Sequence, residues 1–221
     1  MKTINLMFLC LISLGLCITS CTKDDTKLDD DNTIVDLSDT IVPLTVQYGV
    51  DVIADTGNTG IFTYYILSEN AIVSPADSAT TNWDLAFSGT TIRVNGGTSG
   101  PGQGAAQVVN GIFDELTEAP TTEYDQDDVN GTAIATGSGN GWYNYTSSNT
   151  PAHSILPIAG KIIVIKTVDE KYAKLEILSY YKGNPNTTTD TFAALETRPA
   201  GRHYNFKFVY QPDGSTNLAN E

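Results

Sequence analysis

Few side chains in this 221-residue chain have the type or spacing that chemistry requires. Nucleophilic catalysis needs a base held beside the nucleophile. The chain has two histidines, His153 and His203, and three cysteines, Cys10, Cys17 and Cys21. No serine stands in a Gly-x-Ser-x-Gly elbow. In the glycine-rich segment Asn95–Gly104, Gly97 and Gly102 have phosphate-loop spacing. Gln103 and Gly104, however, stand where Lys and Ser or Thr are needed, and the three-glycine dinucleotide fingerprint is missing. Paired carboxylates for glycoside hydrolysis stay open, because their separation is invisible in sequence. Nothing in these motifs favours an enzyme, and none is expected.

Metal ligation offers more. Asp125 and Asp127 with Gly131 miss the cation-loop pattern, since Val129 occupies the place of an oxygen ligand. Asp29–Asn32 lacks the glycine bend and distal glutamate of such a loop. The imidazoles remain. His153 lies in the proline-flanked segment Pro151–Pro157, and its bland reading is a loop bystander. His203 follows Arg202 on a strand whose other face carries Tyr204, Phe206, Phe208 and Tyr210, and it reads as a surface or sheet histidine. Trp142, Tyr143 and Tyr145 put three large rings into four residues. An extended segment cannot turn all three into a core, so one face is open to a flat ligand or a partner; the alternative is that they cap the sheet.

The amino terminus narrows the compartment. Lys2 precedes an apolar stretch, Leu6–Ile18, too short for a comfortable membrane span. It ends in Ile18-Thr19-Ser20-Cys21, which has the shape of a bacterial lipobox. The organisation predicted is a signal peptide over residues 1–20, an acidic tether over 21–40 and one domain over 41–221, with Cys21 lipidated and anchoring the chain to a membrane. Cys10, Cys17, Met1 and Met7 would leave with the signal, so neither a disulfide nor a thiolate metal site can form. A net charge of −14 argues against nucleic acid and against anionic membrane as partners.

The elements that must position these residues are strands. Leu44, Val46, Tyr48, Val50 and Val52 alternate through Ile41–Ile53 and predict a first strand. Ile61–Leu67 predicts a second, joined to the first as a hairpin by turn residues 55–60. Trp83, Leu85 and Phe87 share one face of the next strand, with Asp84, Ala86 and Ser88 opposite; Thr90–Val94 follows Gly89 as another. A loop with five glycines in ten residues, Asn95–Gly104, costs chain entropy, so something should fix or use it. Val108–Phe113 is an apolar run, and Leu116–Thr136 is a long polar excursion. Lys161–Thr167 and Tyr172–Tyr181 predict a hairpin, with Leu175 and Ile177 on one face and Lys174 and Glu176 on the other. Arg202–Tyr210 is the last strand. The fold expected is all-β, predominantly antiparallel, with few short helices.

Two blocks carry a resemblance. Trp83-Asp84-Leu85-Ala86-Phe87, Ile92-Arg93-Val94-Asn95 and Gly97-Thr98-Ser99-Gly100 resemble the HmuY-like haem-binding lipoproteins, or haemophores, of the Bacteroidetes. Lys166-Thr167-Val168-Asp169-Glu170-Lys171-Tyr172-Ala173-Lys174-Leu175-Glu176-Ile177, running on to Ser179-Tyr180-Tyr181, is similar to the same family. The resemblance spans about Trp83 to Tyr210. It implies an HmuY-like fold, haem as cofactor and an outer-membrane TonB-dependent haem transporter as partner. Lys23-Asp24-Asp25 also resembles the signal that exports Bacteroidetes lipoproteins to the outer cell surface.

In that family an axial histidine or methionine comes from loops at one end of the fold, which makes His153 the implied iron ligand. The second ligand is implied in Leu116–Thr136, where Tyr124 alone has an iron-binding side chain. Trp142, Tyr143 and Tyr145 would wall the macrocycle. Three outcomes stay open: haem held by His153 alone, iron-free porphyrin, or a fold kept for another purpose. The alternative function is a surface adhesin or binding module for a glycan or protein partner.

Overall fold

The strongest sequence signal, the Lys161–Tyr181 hairpin, forms the centre of the larger sheet. The computed structural model describes residues 43–54 and 60–221. The signal peptide, the tether and Cys21 lie outside the described residues, as do residues 55–59 of the first predicted turn. In chain order the strands are β1 (Gln47–Ile53), β2 (Thr63–Ile66), β3 (Ala71–Val73), β4 (Leu85–Ser88), β5 (Thr91–Val94), β6 (Ala105–Asn110), β7 (Tyr143–Tyr145), β8 (Ile155–Pro157), β9 (Lys161–Lys166), β10 (Tyr172–Tyr181) and β11 (Gly201–Gln211). One four-residue helix, α1 (Asp190–Ala193), precedes β11. The fold is all-β as expected, and every strand pairing is antiparallel.

Three sheets result, with orders β1-β11-β10-β9-β6, β3-β2-β4-β5 and β7-β8. The first two pack face to face. Leu85, Phe87, Ile92 and Val94 from the smaller sheet meet Ile163, Leu175 and Phe206 from the larger in one core. Phe206 is the pivot: Phe87 stacks on it at 5.8 Å and Tyr65 meets it edge-on at 5.4 Å between centroids. Alternation sends Ile162, Val164 and Val209 through to the opposite face of the large sheet, where they build a second core with Phe113, Ala119 and Leu218.

Because both faces of the large sheet are covered, Lys174, on the face of β10 opposite Leu175, is fully buried. Its ammonium donates to the Phe113 carbonyl at 2.7 Å, the Leu116 carbonyl at 3.0 Å and the Asn220 side-chain oxygen. Three acceptors match its three protons, which is the condition for burying such a charge.

The predicted β1–β2 hairpin does not form. β1 pairs with β11, while β2 pairs with β3 and β4. The alternation in β1 also fails, because the register shifts between Gly49 and Val52, with Asp51 at φ 48°. Val52 stays buried, whereas Tyr48 and Val50 turn outward. Trp83 departs from its period-two partners too: it packs with Phe62 and Ala86, apart from Leu85 and Phe87.

The glycine loop is fixed in place. Asn95 is fully buried; its amide donates to the Thr80 and Trp83 carbonyls at 3.0 and 2.8 Å, and its side-chain oxygen accepts from the Gly102 amide at 3.1 Å. A Cβ on Gly96 would overlap the Gly104 carbonyl, and one on Gly97, at φ 59°, would overlap the Asp127 carbonyl. The glycines therefore serve close backbone approach.

Candidate functional site

The β7–β8 hairpin carries the residues that the sequence singled out. It leans on β10, whose Tyr181 hydroxyl accepts from the Ile155 amide at 3.0 Å. The loop between its strands holds His153 firmly. The His153 amide donates to the Ser147 carbonyl at 2.6 Å, its carbonyl accepts from Arg198 at 3.2 Å, and its Nδ1 lies 2.7 Å from the Tyr145 hydroxyl. Its backbone sits in the left-handed region at φ 53°, which a non-glycine residue adopts only where its surroundings impose it.

Two main-chain bonds fix the His153 backbone and one contact holds its exposed ring, so the residue is positioned rather than merely tolerated. Nε2 makes no hydrogen bond among the described residues. In the tautomer whose Nδ1–H donates to the Tyr145 oxygen, Nε2 presents its lone pair to an incoming metal, the usual orienting arrangement for a ligating imidazole. Tyr145, 45% exposed, is thus the partner of His153 more than the wall of a pocket.

The other expected wall residues are not available. Trp142 and Tyr143 are buried in the main core. The Trp142 indole donates to the Thr90 carbonyl at 3.0 Å, and the Thr90 hydroxyl donates to the Tyr143 hydroxyl at 3.1 Å. The two-sheet packing claims both rings, leaving only Tyr145 of the three at the surface. Leu156 and Pro157, beyond His153 in the same segment, line a cleft of about 460 Å³, and His153 is not among its lining residues.

Tyr124 cannot complete the iron site with His153. It packs against Tyr172 at 6.1 Å and belongs to the second core, on the far face of the large sheet. Asp125 bridges Ala106 of β6, so the chain runs there as an extra edge, and Tyr124 turns away from the face that Ala106 shares with the main core. Its hydroxyl is buried near Gln107 with no hydrogen bond of normal geometry, and burial pushes its pKa well up. A phenol held neutral there is a poor source of a phenolate ligand.

His203 lies as expected on the face of β11 opposite Tyr204, half-buried. Its Nδ1 is 2.9 Å from the Gly201 carbonyl. A carbonyl only accepts, so Nδ1 carries a proton. Its strand partner is Ile53.

Sequence reasoning missed an apolar cleft. Ile53, Ala54, Ile61, Phe62, Ile72, Val73, Pro75 and Arg202 are among the residues lining a cleft of about 350 Å³. It lies where the edge strands β1 and β3 of the two large sheets meet. The available signal was a set of isoleucines that fit no buried face. Among the described residues no group of three or more His, Cys, Asp or Glu side chains is placed to hold a metal ion.

A model of the HmuY protein family matches residues 58–194, more than half of the chain. No curated protein matches. Among solved structures, a Bacteroides vulgatus protein named as HmuY-like and heme-binding has 16% identity and a TM-score of 0.44, over 75% of this chain and 90% of its own. The Tannerella forsythia HmuY analog in its apo form has 15% identity and a TM-score of 0.42, over 77% and 96%. A Bacteroides fragilis protein named as a lipoprotein has 16% identity and a TM-score of 0.44, over 76% and 91%. On the strength of the family model, this chain belongs to the HmuY family.

Proposed function

We propose that this protein binds haem or a related tetrapyrrole outside the cell, tethered through a lipid on Cys21, and passes it to an outer-membrane TonB-dependent haem transporter. Family membership supports the reading, as does the heme-binding name of one structural relative. The observation that carries it is the His153 imidazole, pinned through Nδ1 by Tyr145 with Nε2 left free at the surface. Iron needs only one such nitrogen for five-coordinate binding. In this reading Tyr124 has no part, and His153 is the single protein ligand. The chain's own residues orient the imidazole; haem, when bound, supplies the iron.

The test is titration of the purified domain with haemin, reading the Soret band, in wild type and His153→Ala. A Soret shift at micromolar haemin that the substitution abolishes is expected. No shift under either oxidising or reducing conditions would sink the reading. One observation favours the alternative, a binding module for a glycan or protein partner: His153 stands in the open, and two of the three rings expected beside it are in the core. Capture of a glycan or outer-membrane component that is indifferent to haemin and to His153→Ala would decide for it.

A further inference from the structure

The cleft between β1 and β3 gathers exposed aliphatic side chains around one concavity. Ile53, Ile61 and Ile72 are 57%, 54% and 56% exposed, and all three line it. Phe62, Val73, Ala54 and Pro75 complete an apolar wall. Three large aliphatic side chains left half in water around one concavity form the kind of exposed apolar patch that marks a ligand site. The volume, about 350 Å³, falls within the range of small-molecule sites.

One charged residue lines this wall, Arg202. It is exposed, and among the described residues it forms no ion pair. In a chain of net charge −14, a guanidinium at the edge of an apolar cleft is an uncommon placement. It is a local attraction for an anion that the rest of the molecule repels. The backbone fixes its place: the Arg202 carbonyl accepts from the Ala54 amide at 2.8 Å, which ties the start of β11 to the end of β1. A second guanidinium stands behind the wall, where Arg93 lies over the Phe62 ring at 4.2 Å and keeps that ring in position.

We propose that this cleft is a binding site for an apolar molecule carrying a carboxylate, with the body against Ile53, Ile61, Phe62 and Ile72 and the carboxylate on Arg202. A guanidinium pairs with a carboxylate through two parallel hydrogen bonds, and the pairing gains where an apolar body excludes water. Two sources offer this chemistry: a fatty acid, with an extended chain, and a porphyrin, with propionates on a flat ring. The site does not depend on His153, which lines no part of it.

The experiment is calorimetric titration of the purified domain with dodecanoate, with neutral dodecanol, and with iron-free protoporphyrin IX. Wild type is compared with Arg202→Gln, Ile72→Asn and His153→Ala. Dodecanoate or protoporphyrin is expected to bind, to weaken about tenfold in Arg202→Gln, to weaken also in Ile72→Asn and to be unchanged in His153→Ala. Dodecanol should be indifferent to Arg202→Gln. Whichever acid binds identifies the source. Because Arg202 and Ile72 are both exposed, the variants should fold, and circular dichroism checks this. If neither acid binds, or if binding ignores both Arg202→Gln and Ile72→Asn, the proposal is overturned. Loss of haemin binding in His153→Ala with cleft binding intact would show two separate sites.

Discussion

The Tyr145 hydroxyl and His153 Nδ1 lie 2.7 Å apart across the β7–β8 hairpin, with both side chains exposed. Such a contact contributes little to stability, since water replaces it easily. Its effect is on direction: it holds the ring and biases which nitrogen carries the proton. Tyr145→Phe should leave the thermal midpoint nearly unchanged, with a cost within about 0.5 kcal/mol. Haemin affinity should fall about tenfold, the usual consequence of removing the partner of a ligating histidine. Unchanged affinity together with an unchanged midpoint would show that the pair is incidental.

Gly49 lies against the Phe206 ring, and a Cβ at this position would overlap the ring carbons. Phe206 has no room to retreat, because Phe87, Tyr65 and Phe208 all contact it. Gly49→Ala is expected to cost about 1–3 kcal/mol, the usual penalty of overpacking a filled core. Chemical denaturation measures it. A variant as stable as wild type would mean that β1 can shift outward from β11.

Legibility in the sequence followed sequence distance. The β9–β10 hairpin was readable because its alternation and turn are local, as was the tyrosine and phenylalanine stripe of β11. The partner of β1 was not. Gln47 pairs with Phe208 across most of the chain, and no local signal encodes that choice. The same limit hid the fate of Trp142 and Tyr143. Three rings in four residues cannot all point inward from one strand, yet which two do so depends on Thr90, in the turn before β5. Tyr124 was misjudged because composition does not reveal on which face of a sheet a loop residue lands. His153 was chosen for its chemistry, but its anchor, eight residues earlier on the facing strand, became visible only once the hairpin closed.

Lys174 tests the second core. Its ammonium ties β10 to the turn at Phe113–Leu116 and to Asn220 near the carboxyl end, and it lies 4.5 Å from the Phe113 ring centroid. Lys174→Met keeps most of the apolar stem but strands two carbonyls and an amide oxygen. A loss of about 3 kcal/mol is expected, the upper end for buried polar groups left without partners. Hydrogen exchange should speed up first at residues 113–120 and 213–220. Uniform acceleration across both sheets would instead mean that the second core has no local role.

Asp84 gives the fold a dependence on pH whose sign is opposite to the common one for a carboxylate. Burial pushes its pKa up from 3.8 to about 6; the amides of Leu67 and Val168 offset part of the rise, and the charge of Asp169 adds to it. The Leu67 amide, at 2.8 Å, is the close donor. Because the folded pKa lies above the unfolded one, the native state holds the proton more tightly between these values. Stability from this group is therefore full below about pH 4 and lost as pH rises through 6. The displacement corresponds to roughly 3 kcal/mol at neutral pH. Other carboxylates titrate in the same window, so the difference between Asp84→Asn and wild type isolates the effect. Asparagine keeps an oxygen for the Leu67 amide and carries no charge. The variant's stability relative to wild type should rise by about 3 kcal/mol between pH 4 and pH 7, measured by urea denaturation. A difference that stays flat, or that falls with pH, would mean that the buried carboxylate is ionised without penalty and that its two amide donors outweigh the cost of leaving water.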